Sequence, residues 1–204
     1  GKSIAMRSTV TRLVSNGTWR SNDTLVPNWE ALDCEDCDDW DFARAPYPSP
    51  ANPTDLMFNT TAQHMWHDPD SASDGTTGTN EAFFRFTFDL VLPAGINIPP
   101  AGIGKARISV DDDYEFYVNG ELIFENKDNG FGDVVDIIDF TPYLRDGKNV
   151  FAIHAVDGGW DNPRDRGFER MLFDAYIMPF ATVTRLVSSS NWRSNATFVP
   201  NWEA

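Results

Sequence analysis

The chain has 204 residues, enough to bury roughly 70% of the surface its unfolded form exposes, so its size forces neither a metal nor a disulfide staple. With 41% hydrophobic residues it is not a disordered chain. Its 31 acidic against 16 basic side chains give a formal charge of −15, which excludes phosphate backbones and anionic membranes as partners and suits divalent cations or basic partners.

Gly1-Lys2-Ser3 opens the chain without Met or an apolar leader, as a chain whose leader has been removed would. Short runs with alternating, β-branched or aromatic residues predict strands over 9–15, 82–91, 105–111, 114–118, 121–125, 133–139, 149–156 and 169–178. Between them, 43–80 is rich in Pro, Asp, Ser, Thr and Gly and reads as a long surface excursion. The longest uncharged stretch, 90–104, holds three prolines and is too short and broken to span a bilayer. Asp111 to Asp113 end one strand and turn the chain; Tyr114, Phe116 and Val118 then alternate into a core, and Asn119-Gly120 closes a hairpin. Arg145-Asp146-Gly147-Lys148 supplies another turn. In 149–156, Val150, Ala152 and His154 share one face and Phe151, Ile153 and Ala155 the other, the pattern of a strand covered on both sides. No helical period persists beyond about two turns, so the expected fold is all-β, a two-sheet antiparallel β-sandwich or a barrel.

An internal repeat organises the chain. Residues 9–31 (TVTRLVSNGTWRSNDTLVPNWEA) return as 182–204 (TVTRLVSSSNWRSNATFVPNWEA), at a constant offset of 173 and with 18 of 23 positions identical. The expected division is an extension over 1–8, one complete unit over 9–181, and over 182–204 either the start of a second unit or a segment exchanged with a neighbour.

The order and spacing of several motifs carry a family likeness. Trp19 and Trp29, Asp38-Asp39-Trp40, Ala45-Pro46-Tyr47-Pro48, Phe83 to Phe88, Asp111 to Tyr114, Tyr117 to Glu121, Thr141-Pro142-Tyr143-Leu144 and Gly147 to Ala152 follow one another along most of 9–178. Together they resemble the galactose-binding-domain-like β-sandwich, or jelly roll, an accessory module of secreted and cell-surface bacterial proteins. The resemblance implies the sandwich fold and an extracellular or cell-surface setting. It leaves function to the site, because such modules serve both sugar binding and linkage.

Several residues qualify as sites. Cys34 and Cys37 stand in an acidic stretch that raises a thiol pKa and disfavours redox catalysis; a local disulfide is expected ahead of reduced thiols or half a zinc site. Calcium is the candidate ion, since Asp111, Asp112 and Asp113, or Asp33, Asp36 and Asp38, or Asp157, Asp161 and Asp165 offer closely spaced carboxylates; solvated turns have the same appearance. Asn16, Asn22, Asn59 and Asn195 head N-x-[ST] sequons, and Asn22 and Asn195 occupy the same place in the two repeats. Trp66 and Trp160, on expected loops, are candidates for stacking on sugar, against the reading that most of the 7 Trp are core or repeat residues. No Ser or Cys nucleophile has an evident His partner, His154 reads as a core residue, and no enzyme activity is expected.

The repeat leads to the main functional expectation. An unpaired sheet edge accepts a strand from a neighbour, and head-to-tail contacts build open filaments. Val183, Leu186, Val187, Trp192, Pro200 and Trp202 would be the assembly residues of an extracellular fibre of identical subunits or repeats, with no nucleic acid, no membrane span and no required cofactor. The alternative is a calcium-assisted carbohydrate-binding module of a larger secreted enzyme or adhesin.

Overall fold

A computed structural model describes residues 10–46, 57, 61–67, 81–92, 102–127, 135–156 and 170–178. Among these residues, ten strands form two sheets: β1 (Thr11–Val14), β2 (Arg20–Asn22), β3 (Asp41–Phe42), β4 (Glu81–Leu90), β5 (Gly104–Val110), β6 (Asp113–Val118), β7 (Glu121–Asn126), β8 (Asp136–Asp139), β9 (Gly147–Val156) and β10 (Met171–Ile177). One sheet runs β1-β10-β5-β8 and the other β3-β2-β4-β9-β6-β7. Every pairing is antiparallel. The expected all-β sandwich is present, and each of the eight expected strands has its counterpart. The described helical turns are 3-10 turns at Glu35–Cys37 and Thr141–Tyr143. No helix among the described residues is long and apolar enough to cross a membrane.

The period of two decides which side chains meet. Tyr114, Phe116 and Val118 of β6, Phe151, Ile153 and Ala155 of β9, and Phe173 and Ala175 of β10 are all buried between the sheets. Phe173 lies 5.3 Å from Phe151 and 5.8 Å from Phe116, within the range of favourable aromatic pairing. Trp19 stacks on Phe86 at 5.2 Å and meets Phe173 edge-on at 4.9 Å, and its Nε1 donates to the Val14 carbonyl.

Turn chemistry explains the connections. Asn119 and Gly120 both have positive φ, 56° and 88°, as a two-residue turn between twisted strands requires. Asn119 also ties the hairpin to the next loop: Nδ2 donates to the Tyr143 carbonyl and to Asn149 Oδ1, while Oδ1 accepts from Val150 N. Buried Asn149 accepts from Arg145 N and donates to the carbonyls of Arg145 and Gly147, which closes the turn before β9. The Asp111-Asp112 step is a corner rather than a hairpin, since it carries the chain from β5 in one sheet to β6 in the other.

Two expectations change. The stretch 43–80 is not simply a surface excursion, because its described residues Met65 and Trp66 are fully buried and bridge to Met171 and Arg44 at the end of the sandwich. Strands β2 and β3, too short to show a period, went unpredicted. They extend the larger sheet beyond β4, with Ser21 facing Phe84 and Asp41.

Candidate functional site

The outer face of the six-stranded sheet follows from the residues left over by the core. In β4 the positions alternating with Phe84 and Phe86 are Phe83, Arg85 and Thr87; in β9 they are Val150, Ala152 and His154; in β6 they are Glu115 and Tyr117. Much of this face is covered by 23–40, which folds back across it. Trp29 meets Phe83 edge-on at 5.0 Å and Tyr117 at 5.5 Å, and stacks with Trp40 at 6.3 Å. Cys34 and Cys37 join this second cluster as a disulfide, the pairing expected from their spacing. Buried Arg85 latches the segment: its Nη1 donates to the carbonyls of Trp29 and Ala31. Burial lowers the Arg85 pKa, while Asp38 and Glu30 raise it. The Trp40 Nε1 group is buried and has no hydrogen-bond partner among the described residues.

Beside that cover the face stays open. The imidazole of His154 lies flat on Phe83, 4.6 Å between ring centres and 5° between planes. Its Nε2 is 3.6 Å from Glu81 Oε1 and its Nδ1 is 3.5 Å from Glu115 Oε2. Tyr117 donates its hydroxyl to the same Glu115 oxygen at 2.6 Å, and burial together with that bond pushes its pKa up. Side-chain exposures of 55% for Glu81 and 28% for Glu115 leave these carboxylates within reach of a ligand, whereas the Nε2 of His154 is itself buried. The two carboxylates and the phenol, set beside an aromatic stack, can exchange hydrogen bonds with hydroxyl groups. His154 is therefore not part of the core between the sheets: it shares the outer face with Val150 and Ala152, and it is half-buried where they are buried.

The residues expected from sequence fare differently. Trp66 is no sugar platform, because it is fully buried and packs edge-on against Phe84 at 5.7 Å. Asp111 is buried with its Oδ2 3.9 Å from Arg170 Nε, and Asp112 occupies the corner with φ 65°. Among the described residues no group of three His, Cys, Asp or Glu side chains is arranged to hold a metal ion, so Asp111, Asp112 and Asp113 do not form the expected calcium set. Asn16 Oδ1 accepts from the backbone and hydroxyl of Thr18, and Asn22 Oδ1 from the amide of Asp23, so both sequons sit in local turns. Asn59, Asn195, Asp157, Asp161, Trp160, Val183, Leu186, Val187, Trp192, Pro200 and Trp202 lie outside the described residues. A Ser–His contact missed in the sequence does exist, Ser21 Oγ to His67 Nδ1 at 2.9 Å, but both residues are buried within the fold. Glu81, Glu115, Tyr117 and His154 were also missed. The alternation of β6 and β9 separates inner from outer residues, but only strand pairing makes these four neighbours.

No family model and no curated protein matches the sequence. Solved structures do. A glycosyl hydrolase family 2 member from Bacteroides cellulosilyticus aligns with a TM-score of 0.50 at 14% identity, over 81% of this chain and 20% of that one. A β-glucuronidase from Bacteroides uniformis aligns with a TM-score of 0.46 at 14% identity, over 82% and 18%. An uncultured Clostridium β-glucuronidase aligns with a TM-score of 0.46 at 14% identity, over 87% and 30%. This chain thus spans between about a fifth and a third of the relatives it resembles. With its two antiparallel sheets, it is a galactose-binding-domain-like β-sandwich, the fold of one portion of the Bacteroides cellulosilyticus protein.

Proposed function

We propose that this sandwich is a non-catalytic module of a larger carbohydrate-active protein, and that Glu81, Glu115, Tyr117 and His154 on the open part of the outer face meet a glycan. The observation that carries the module reading is proportion: nearly the whole sandwich corresponds to one fifth of a glycosyl hydrolase family 2 member. This favours the module over the fibre among the expectations drawn from sequence. The chemistry of the face favours neutral or amino sugars, because its two carboxylates accept from hydroxyl or ammonium groups while the net charge of −15 repels uronic acids. The Cys34–Cys37 pair supports an oxidising, extracellular or cell-surface setting.

Binding to an array of neutral, amino and acidic glycans, with and without calcium, tests the proposal. Neutral or amino sugars bound by the parent chain and lost in Glu115→Gln and His154→Ala support it. A silent array, or binding untouched by both substitutions, ends it.

A second reading is favoured by one observation, the repeat of 9–31 at 182–204. Units joined head to tail would form a multi-unit surface structure of identical copies. The mass of the native protein and its appearance in negative stain test this: a compact particle of one unit's mass rules it out.

A further inference from the structure

Residues 10–31 are built into both sheets rather than appended to them. Thr11–Val14 pairs along β10, Trp19 sits at the centre of the core, Arg20–Asn22 pairs with β4, and Trp29 anchors the second cluster. Ser15 completes the seat: its N–H donates to the Phe173 carbonyl at 2.8 Å, its hydroxyl donates to the Gln63 carbonyl at 2.7 Å and accepts from Phe173 N at 3.1 Å. Withdrawing the stretch would leave a slot with an unpaired edge on β10, another on β4, and the vacated places of two tryptophans.

The buried positions of this stretch are Leu13, Ser15, Trp19, Ser21 and Trp29. All of them recur unchanged at the offset of 173, as Leu186, Ser188, Trp192, Ser194 and Trp202. The copies differ at Asn16, Gly17, Thr18, Asp23 and Leu25, and each of these is exposed or half-buried. Every difference between the copies therefore falls outside the set of side chains that the slot encloses.

The connection is also short enough. Strand β10 ends at Ile177, the antiparallel partner of Thr11. Thr184, the counterpart of Thr11, follows it with only residues 178–183 between. Six residues suffice for a loop joining antiparallel neighbours. The chain can thus reach its own slot from either end.

We propose that residues 182–204 are an alternative occupant of the slot filled by 9–31, able to replace it within the same chain and release the first copy. The side chains that the slot encloses are identical in the two copies, so the exchange is expected to be nearly balanced in contact energy. This proposal stands apart from the carbohydrate reading and does not need it.

Four versions of the 204-residue chain test it: the parent, Trp19→Ala, Trp192→Ala, and the double variant, compared by thermal melting and by limited proteolysis with mass readout. Each single variant is expected to melt within about 3 °C of the parent, and the double variant about 10 °C or more below it. Proteolysis should trim the N-terminal copy from Trp19→Ala and the C-terminal copy from Trp192→Ala. If Trp19→Ala melts as low as the double variant or fails to fold, the second copy does not take the slot and the proposal is wrong. Rescue that appears only at high protein concentration overturns the route within one chain.

Discussion

Arg85 offers a direct measure of what holds the outer cover in place. Methionine at this position keeps much of the volume but removes the group that donates to the carbonyls of Trp29 and Ala31. Hydrogen bonds to a charged donor contribute about 1.5–3 kcal/mol each. Part of that gain is offset because the guanidinium no longer has to be desolvated, the effect that lowers its pKa. The net loss expected for Arg85→Met is about 2–4 kcal/mol, a fall in melting temperature of roughly 5–15 °C for a domain of this size. Arg20 is the control: it is half-buried, donates to the Trp40 carbonyl at 2.8 Å and lies 3.9 Å over exposed Phe42, so Arg20→Met should cost only about 1 kcal/mol. Urea unfolding followed by tryptophan emission is the assay, since Trp29 and Trp40 lie in the cluster that Arg85 latches and would shift to the red when the cover loosens. Stability of Arg85→Met within about 0.5 kcal/mol of the parent, with unshifted emission, would refute the latch.

Three further outcomes are expected. The buried Tyr114 hydroxyl donates to Asp136 Oδ2 at 2.7 Å, and burial, then that hydrogen bond, raises its pKa; Tyr117 is raised in the same direction. A raised folded-state pKa means stability that is complete below the unfolded value, about 10, and is lost as pH rises above it. Tyr114 alone should therefore contribute a slope of about 1.4 kcal/mol per pH unit there, which Tyr114→Phe removes in alkaline urea melts. Reducing the Cys34–Cys37 disulfide, or replacing both residues with Ser, should lower stability by about 2 kcal/mol, because the closed loop is small; an effect above about 4 kcal/mol would mean that the pair organises more than its own turn. At Gly104 an added Cβ would come within 2.7 Å of the Phe140 ring, which is itself fully buried, so Gly104→Ala should destabilise by about 1–3 kcal/mol in the same melts, and a neutral result would show that the ring can move aside.

The strands were legible wherever a run was long enough to show its period, as in 114–118 and 149–156. β2 and β3, of three and two residues, carry no such signal and exist only because longer neighbours template them. Trp66 shows the reverse error: a polar, Pro-rich neighbourhood suggested a loop, yet the side chain is held in the core by contacts with Phe84 and by a bridge to Arg44. The candidate site was hidden for a related reason. Glu81, Phe83, Glu115, Tyr117 and His154 come from three strands, and nothing in their spacing joins them until β4, β9 and β6 pair in register.

The sequence by itself determined the all-β sandwich, the Asn119-Gly120 hairpin, the acidic surface and the repeat, because each depends on local periodicity, turn chemistry, composition or self-similarity. Tertiary structure alone decided which tryptophans are core, that Asp111-Asp112 is a corner between sheets, and that an imidazole stacks on Phe83 between two carboxylates. It also showed that the first copy of the repeat is a seated element whose buried side chains all recur in its second copy. Those facts depend on how strands far apart in the chain pair and pack, which no local pattern encodes.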